Sequence, residues 1–142
     1  MKAKHLILFF SFMFISWGCY NEKTEEEVSD DPIHGIWNLI NVSGGFVGID
    51  SDYNKGEIIW EFDAANKTLK VQNNDTSNSI FSGLKSGHYG YSIVQNDGGR
   101  AYMFVGTIEM GGITIAQNEM TINQNDMSIG TGADRFVFKL IR

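Results

Sequence analysis

From residue 32 to the C-terminus, hydrophobic and polar positions alternate in short runs separated by Gly, Asn and Asp, and no stretch keeps a helical period. Period-two alternation places successive side chains on opposite faces of a strand, so the pattern predicts an all-β domain. The first run is Ile36-Trp37-Asn38-Leu39-Ile40-Asn41-Val42, closed by Ser43-Gly44-Gly45, and a long connection follows it. In Glu57-Ile58-Ile59-Trp60-Glu61-Phe62, the residues Ile58, Trp60 and Phe62 share one face and the two glutamates the other, as a half-buried strand requires. Asp63-Ala64-Ala65-Asn66-Lys67 then turns the chain into Thr68-Leu69-Lys70-Val71-Gln72, which predicts a hairpin.

Further on, Tyr89, Tyr91 and Ile93 alternate with Gly90 and Ser92, and Asn96-Asp97-Gly98-Gly99 supplies residues that tolerate positive φ in a tight turn. The partner strand is expected over residues 101–108. On it Tyr102, Phe104 and Ile108 alternate with Met103, Val105 and Thr107, with Gly111-Gly112 as its break. Ile113-Thr114-Ile115 and Glu119-Met120-Thr121-Ile122 form a short pair about Gln117-Asn118, and Arg135-Phe136-Val137-Phe138-Lys139-Leu140-Ile141-Arg142 closes the chain with Phe136, Phe138 and Leu140 inward. Roughly eight strands at this spacing imply a barrel or a sandwich, and spacing alone does not choose between them.

The two ends of the domain carry a resemblance. Gly35-Ile36-Trp37-Asn38-Leu39 resembles the G-x-W opening of lipocalin-like domains, and the paired runs over residues 115–122 and 134–142 are similar to their last strands with an F-x-x-x-R type close. The resemblance covers residues 35–142, mainly at the two ends, and implies a small antiparallel up-and-down β-barrel of about eight strands. It also implies that Trp37 plugs one end of the barrel with a basic side chain against it. The matching position is Arg142, which shares a face with Phe136, Phe138 and Leu140; Arg135 has the opposite parity.

Ahead of this domain the composition changes character. Lys2 and Lys4 precede an apolar run from Leu6 to Ile15 of about ten residues, half the length of about 20 that a helix needs to cross a bilayer, so residues 1–18 are read as a signal peptide. The run ends at Ser16-Trp17-Gly18-Cys19, which resembles the lipobox of bacterial lipoproteins, with Ile15 one place from the usual leucine. Cleavage before Cys19, the one cysteine of the chain, would leave it to carry the lipid anchor; plain secretion with a stray thiol is the alternative. Residues 19–31 continue with six carboxylates against one lysine, too charged to bury surface, and are expected to be a solvated tether. Tyr20 stands where inner-membrane retention signals resemble Asp, so the reading is the cell envelope, on the outer membrane, with either face open. Removing the two signal-peptide lysines takes the formal charge from −6 to −8, and setting aside the tether leaves −3 for residues 32–142. With no basic stripe in that part, nucleic acid is excluded as an expected partner.

Candidate chemistry is sparse. His5 falls in the signal peptide, His34 and His88 read as surface histidines, and there is no H-x-x-x-H, C-x-x-C or G-x-S-x-G pattern, so neither enzymatic activity nor a cofactor is expected. Asp50, Asp52 and Asn54 lie at alternate positions that could converge on calcium, with Glu61 twelfth from Asp50. The glycine falls seventh and Lys55 sixth, however, and the same composition makes a good turn. The aromatic residues expected inside the barrel are Trp60, Phe62, Tyr89, Tyr91, Tyr102, Phe104, Phe136 and Phe138. An eight-stranded barrel is just wide enough for side chains to fill it or for one small ligand. Two readings follow. One is a lipid-anchored binding module for a small apolar or amphipathic molecule, entered opposite Trp37 beside the loop over residues 43–56, with Trp60, Tyr89, Tyr91, Tyr102 and Phe104 at the site. The other is a non-enzymatic envelope protein with a filled barrel and a protein partner.

Overall fold

The computed structural model describes residues 31–77 and 79–142. Cys19, the expected signal peptide and the acidic stretch before Asp31 lie outside the described residues. Nine strands form one antiparallel sheet: β1 (Gly35–Gly44), β2 (Ile49–Asp52), β3 (Ile58–Asp63), β4 (Thr68–Asn73), β5 (Gly87–Gln95), β6 (Ala101–Val105), β7 (Ile108–Ala116), β8 (Glu119–Asn123) and β9 (Phe136–Ile141). The order is β2-β1-β3-β4-β5-β6-β7-β8-β9, and β9 returns to pair with β1, which closes the sheet. The fold is a closed antiparallel eight-strand β-barrel with one extra strand, wound up and down. Among the described residues there is no helix.

The extra strand has a simple origin. β3 pairs with β1 from Gly35 to Asn38, and β2 pairs with β1 from Asn41 to Gly44. The two therefore lie end to end along the same edge of β1, as one barrel stave interrupted by an excursion over residues 53–57. Asn38, the one buried polar residue among the described residues, holds the excursion: its Oδ1 accepts from Gly56 N at 2.9 Å and its Nδ2 donates to the Ile141 carbonyl at 3.3 Å. A break in the ladder between Leu39 and Asn41 switches the face of β1, so that Trp37, Leu39 and Val42 all point inward.

Connections alternate between the two ends. One end, the turn end, carries the 31–34 segment, the β3–β4, β5–β6 and β7–β8 turns and Arg142. The other, the loop end, carries the β1–β2 turn, the 74–86 loop, the β6–β7 turn and the 124–135 loop. The turn end is built from compact polar turns. Asn96 Oδ1 accepts from Gly98 N and Arg100 N, Asp63 accepts from Asn66, and Lys67 and Gln117 take positive φ.

Two expectations about the middle of the chain need correction. The expected strand over residues 101–108 ends at Val105: Gly106, with φ 59°, and Thr107 make the hairpin turn, and Gly111-Gly112 lies inside β7. Gly111 is required there, since φ is 103° and a Cβ would run into the Asn123 carbonyl of β8. The face of β6 is also inverted. Met103 and Val105 join the core and Tyr102 and Phe104 take the outer face, because the straight thioether and the compact valine fill the narrow interior beside Met110 and Ile113.

The core runs the length of the barrel. Trp37, Trp60, Phe62 and Phe138 are fully buried, with Leu39, Ile58, Leu69, Met103, Met120, Ile122 and Leu140 around them. Among the described residues every strand pairing and every core residue falls between Ile33 and Ile141, so the barrel closes within residues 31–142.

Candidate functional site

The turn end is sealed. Trp37 is fully buried, its indole Nε1 donates to the Ile33 carbonyl at 2.8 Å, and Ile33 is itself 2% exposed. The Arg142 guanidinium lies 4.3 Å over the Trp37 ring and donates through Nη2 to the Pro32 and His34 carbonyls. This one side chain binds the last residue to the segment that enters the first strand. Beside the seal, a cleft of about 650 Å³ lies between residues 31–33 and the inner faces of β5 to β7, where Ile93, Ala101, Ile113 and Ile115 project past the barrel wall. Lys67 and Asp31 pair across its rim at 3.3 Å.

The loop end is occupied by chain. The 74–86 loop folds inward, Phe81 stacks on Phe136 at 4.3 Å and meets Phe138 edge-on at 6.0 Å, and Gly83 rests over Leu39, Phe138 and Trp60. Asn73 Nδ2 donates to the Ser82 and Leu84 carbonyls, and Tyr53 OH bonds to the Phe81 carbonyl at 3.3 Å. The stem of the loop is ordered by Asp75, which accepts from Ser77 and Ser79; these hydrogen bonds hold its carboxyl below the usual 3.8. Between this loop and the tops of β5 to β7 lies a groove of about 630 Å³ lined by Phe81, Leu84, Tyr89, Val105, Ile108 and Met110. That volume is in the range of small-molecule sites. Lys85, His88 and Gln124 bring polar groups to the lining, and no carboxylate belongs to it.

The five residues expected at the site do not converge. Trp60 is fully buried at mid-barrel against Phe62 and Phe138, with its Nε1 unpartnered. Tyr91 packs edge-on to Phe62 at 5.1 Å, 5% exposed, and its hydroxyl has no partner. Burial first, then the charges of Asp31 and Asp63, pushes its pKa up to about 12. Tyr89 alone lines the loop-end groove, its hydroxyl donating to the Lys85 carbonyl at 2.8 Å. Tyr102 and Phe104 are on the outer face, where the Tyr102 hydroxyl meets Asn96 and Asp126. The loop over residues 43–56 does not cover the groove; the 74–86 loop does, and Phe81 and Leu84 were its readable signal, two large apolar side chains in a Ser- and Asn-rich connection.

Asp50 and Asp52 both accept from Asn41 Nδ2, at 2.8 and 2.9 Å, while Asn54 turns to Glu57 inside the excursion. The three candidate oxygen ligands are thus used separately, as turn and cross-strand contacts. Among the described residues no group of three or more His, Cys, Asp or Glu side chains is placed to hold a metal ion. No family model, curated protein or solved structure matches this chain.

Proposed function

We propose that the chain is a non-enzymatic envelope lipoprotein, anchored through Cys19, whose lipocalin-like barrel binds a small amphipathic molecule in the loop-end groove. The observation that carries this reading is the lining. Apolar and aromatic side chains surround a space of about 630 Å³, and Lys85, His88 and Gln124 are polar side chains placed to meet a head group. An apolar body with an acidic or neutral polar head fits that distribution. The ligand would lie under the 74–86 loop beside the barrel axis, since Trp37, Trp60, Phe62 and Phe138 fill the axis itself. The anchor rests on the lipobox-like sequence ending at Cys19, and the outer-membrane location on Tyr20 after it.

The test is displacement of a fluorescent fatty acid from residues 31–142. The reading expects uptake that Leu84→Arg abolishes and Lys85→Met weakens about tenfold, the Lys85 ammonium contributing on the scale of a charge-assisted hydrogen bond. Uptake unchanged by both substitutions would move the ligand elsewhere. The second reading, a filled barrel with an envelope protein as partner, is favoured by the aromatic axis and would be supported by absence of uptake.

A further inference from the structure

Large apolar side chains exposed one at a time are ordinary on a protein surface, and their distribution is what carries information. Eight are exposed among the described residues. Five of them, Phe46, Val47, Ile80, Ile108 and Ile129, lie on or directly beside the four connections of the loop end, at 67–92% exposure; the other three, Ile36, Ile93 and Val94, are on strands at 37–56%. The three turns at the opposite end carry none: they read Ala64-Ala65-Asn66-Lys67, Asn96-Asp97-Gly98-Gly99-Arg100 and Gln117-Asn118. The most exposed apolar side chains are thus gathered at the loop end, whereas Ile36, Ile93 and Val94, on strands towards the turn end, are less exposed and the turns there are polar.

We propose that the loop end docks on a zwitterionic lipid bilayer, with these five side chains entering the interfacial layer. Three observations favour a bilayer over a protein partner. Of the five, Ile108 alone belongs to the apolar groove lining, and Phe46-Val47, Ile80 and Ile129 stand outside it, whereas the core of a protein interface is a contiguous and shape-complementary patch. A fluid interface accepts separate tips without complementarity. The tips also stand on separate elements: Phe46-Val47 at the summit of a turn flanked by Gly45 and Gly48, Ile80 on the 74–86 loop, and Ile129 beside Ser128, whose backbone N–H donates to Glu109 next to Ile108. Finally, Asp75, Lys85, Asp134 and Arg135 of the loop-end connections balance in sign, Asp126 being paired with Arg100, so attachment needs no anionic lipid.

Chain length permits the arrangement. Residues 19–31 reach at most about 40 Å fully extended, and a stave of nine residues is about 30 Å long. A lipid on Cys19 and the loop tips can therefore engage the same bilayer, although the chain enters the barrel at the turn end. The docking itself does not depend on the anchor or on a ligand in the groove.

The experiment uses residues 31–142, within which the barrel closes on the core described above, with vesicles of phosphatidylcholine and phosphatidylethanolamine. Phe46→Trp supplies a reporter at the tip and Ala65→Trp one at the turn end. The expected result is sedimentation with the vesicles, a blue shift and quenching by brominated lipid for Phe46→Trp, and neither change for Ala65→Trp. Phe46→Ser should lower partitioning about tenfold, the scale of one aromatic side chain returned to water, with an unchanged melting temperature. Absence of vesicle binding, binding that requires anionic lipid and ignores Phe46→Ser, or capture of a protein partner by the same tips without any bilayer affinity would each overturn the proposal.

Discussion

Replacing Arg142 tests how the barrel is closed. The side chain makes one cation–π contact, 4.3 Å over Trp37, and two charge-assisted hydrogen bonds, to the Pro32 and His34 carbonyls. At an exposed position the cation–π contact contributes about 0.5–1 kcal/mol. The two hydrogen bonds contribute about 0.5–1 kcal/mol each after discounting for solvent. Arg142→Gln should therefore cost about 2 kcal/mol, which lowers the melting temperature by about 8 °C in a domain of this size. Trp37 stays buried under Ile33, so the loss should be local first: amide exchange at Ile33 and at the Trp37 indole, which donates to Ile33, should accelerate more than exchange in β6 or β7. Arg142→Lys keeps the charge but not the planar fork, and should recover less than half of the loss. Urea denaturation of the three proteins measures it. A Gln variant within about 0.3 kcal/mol of the parent would refute the assignment of closure to this residue, given the magnitudes above.

Two other predictions concern stability. Tyr91 has its pKa raised from 10.0 to about 12, so its neutral form is favoured in the folded chain; stability is fully present below pH 10 and should fall as the pH rises from 10 through 12. Tyr91→Phe should flatten that alkaline decline and, by removing a buried hydroxyl without a partner, leave stability at pH 7 unchanged or slightly higher in chemical denaturation. Gly111→Ala forces a Cβ against the Asn123 carbonyl at φ 103°, and should destabilise by about 3 kcal/mol or more, whereas Gly99→Ala, with open space around its Cα, should show only the smaller φ strain in the same melting experiment.

Much of the fold is legible in the alternation of the chain because most staves have one wet and one dry face. Ile58, Trp60 and Phe62 of β3, and Phe138 and Leu140 of β9, point inward as their period requires. Legibility fails where both faces are apolar. On β6 either Tyr102 with Phe104 or Met103 with Val105 could have filled the interior, and aromatic bulk is a poor guide when the barrel is already filled by two indoles, two phenyl rings and the Tyr91 phenol. On the outer face the Tyr102 hydroxyl lies 3.5 Å from Asp126, brought in by a connection whose path no local pattern encodes.

The candidate site was less legible than the fold, for a related reason. Its lining comes from Phe81 and Leu84 in an irregular loop, from the rim of β5 and from the β6–β7 turn, elements that meet only once the barrel closes. Tyr89 was visible as an inward tyrosine, but Trp60 and Tyr91, equally prominent in sequence, are core residues with unpartnered polar atoms. The interruption between β2 and β3 was likewise hidden, because Asp50, Ser51 and Asp52 read as a turn until they pair with β1.

The most direct test of the account is native mass spectrometry of residues 31–142 after exposure to a mixture of fatty acids and other amphiphiles. The account predicts one bound amphiphile per barrel, lost in Leu84→Arg while the melting temperature is kept. A clean apo mass for the parent protein under conditions in which a known fatty-acid carrier loads would contradict it and leave the filled barrel with a protein partner.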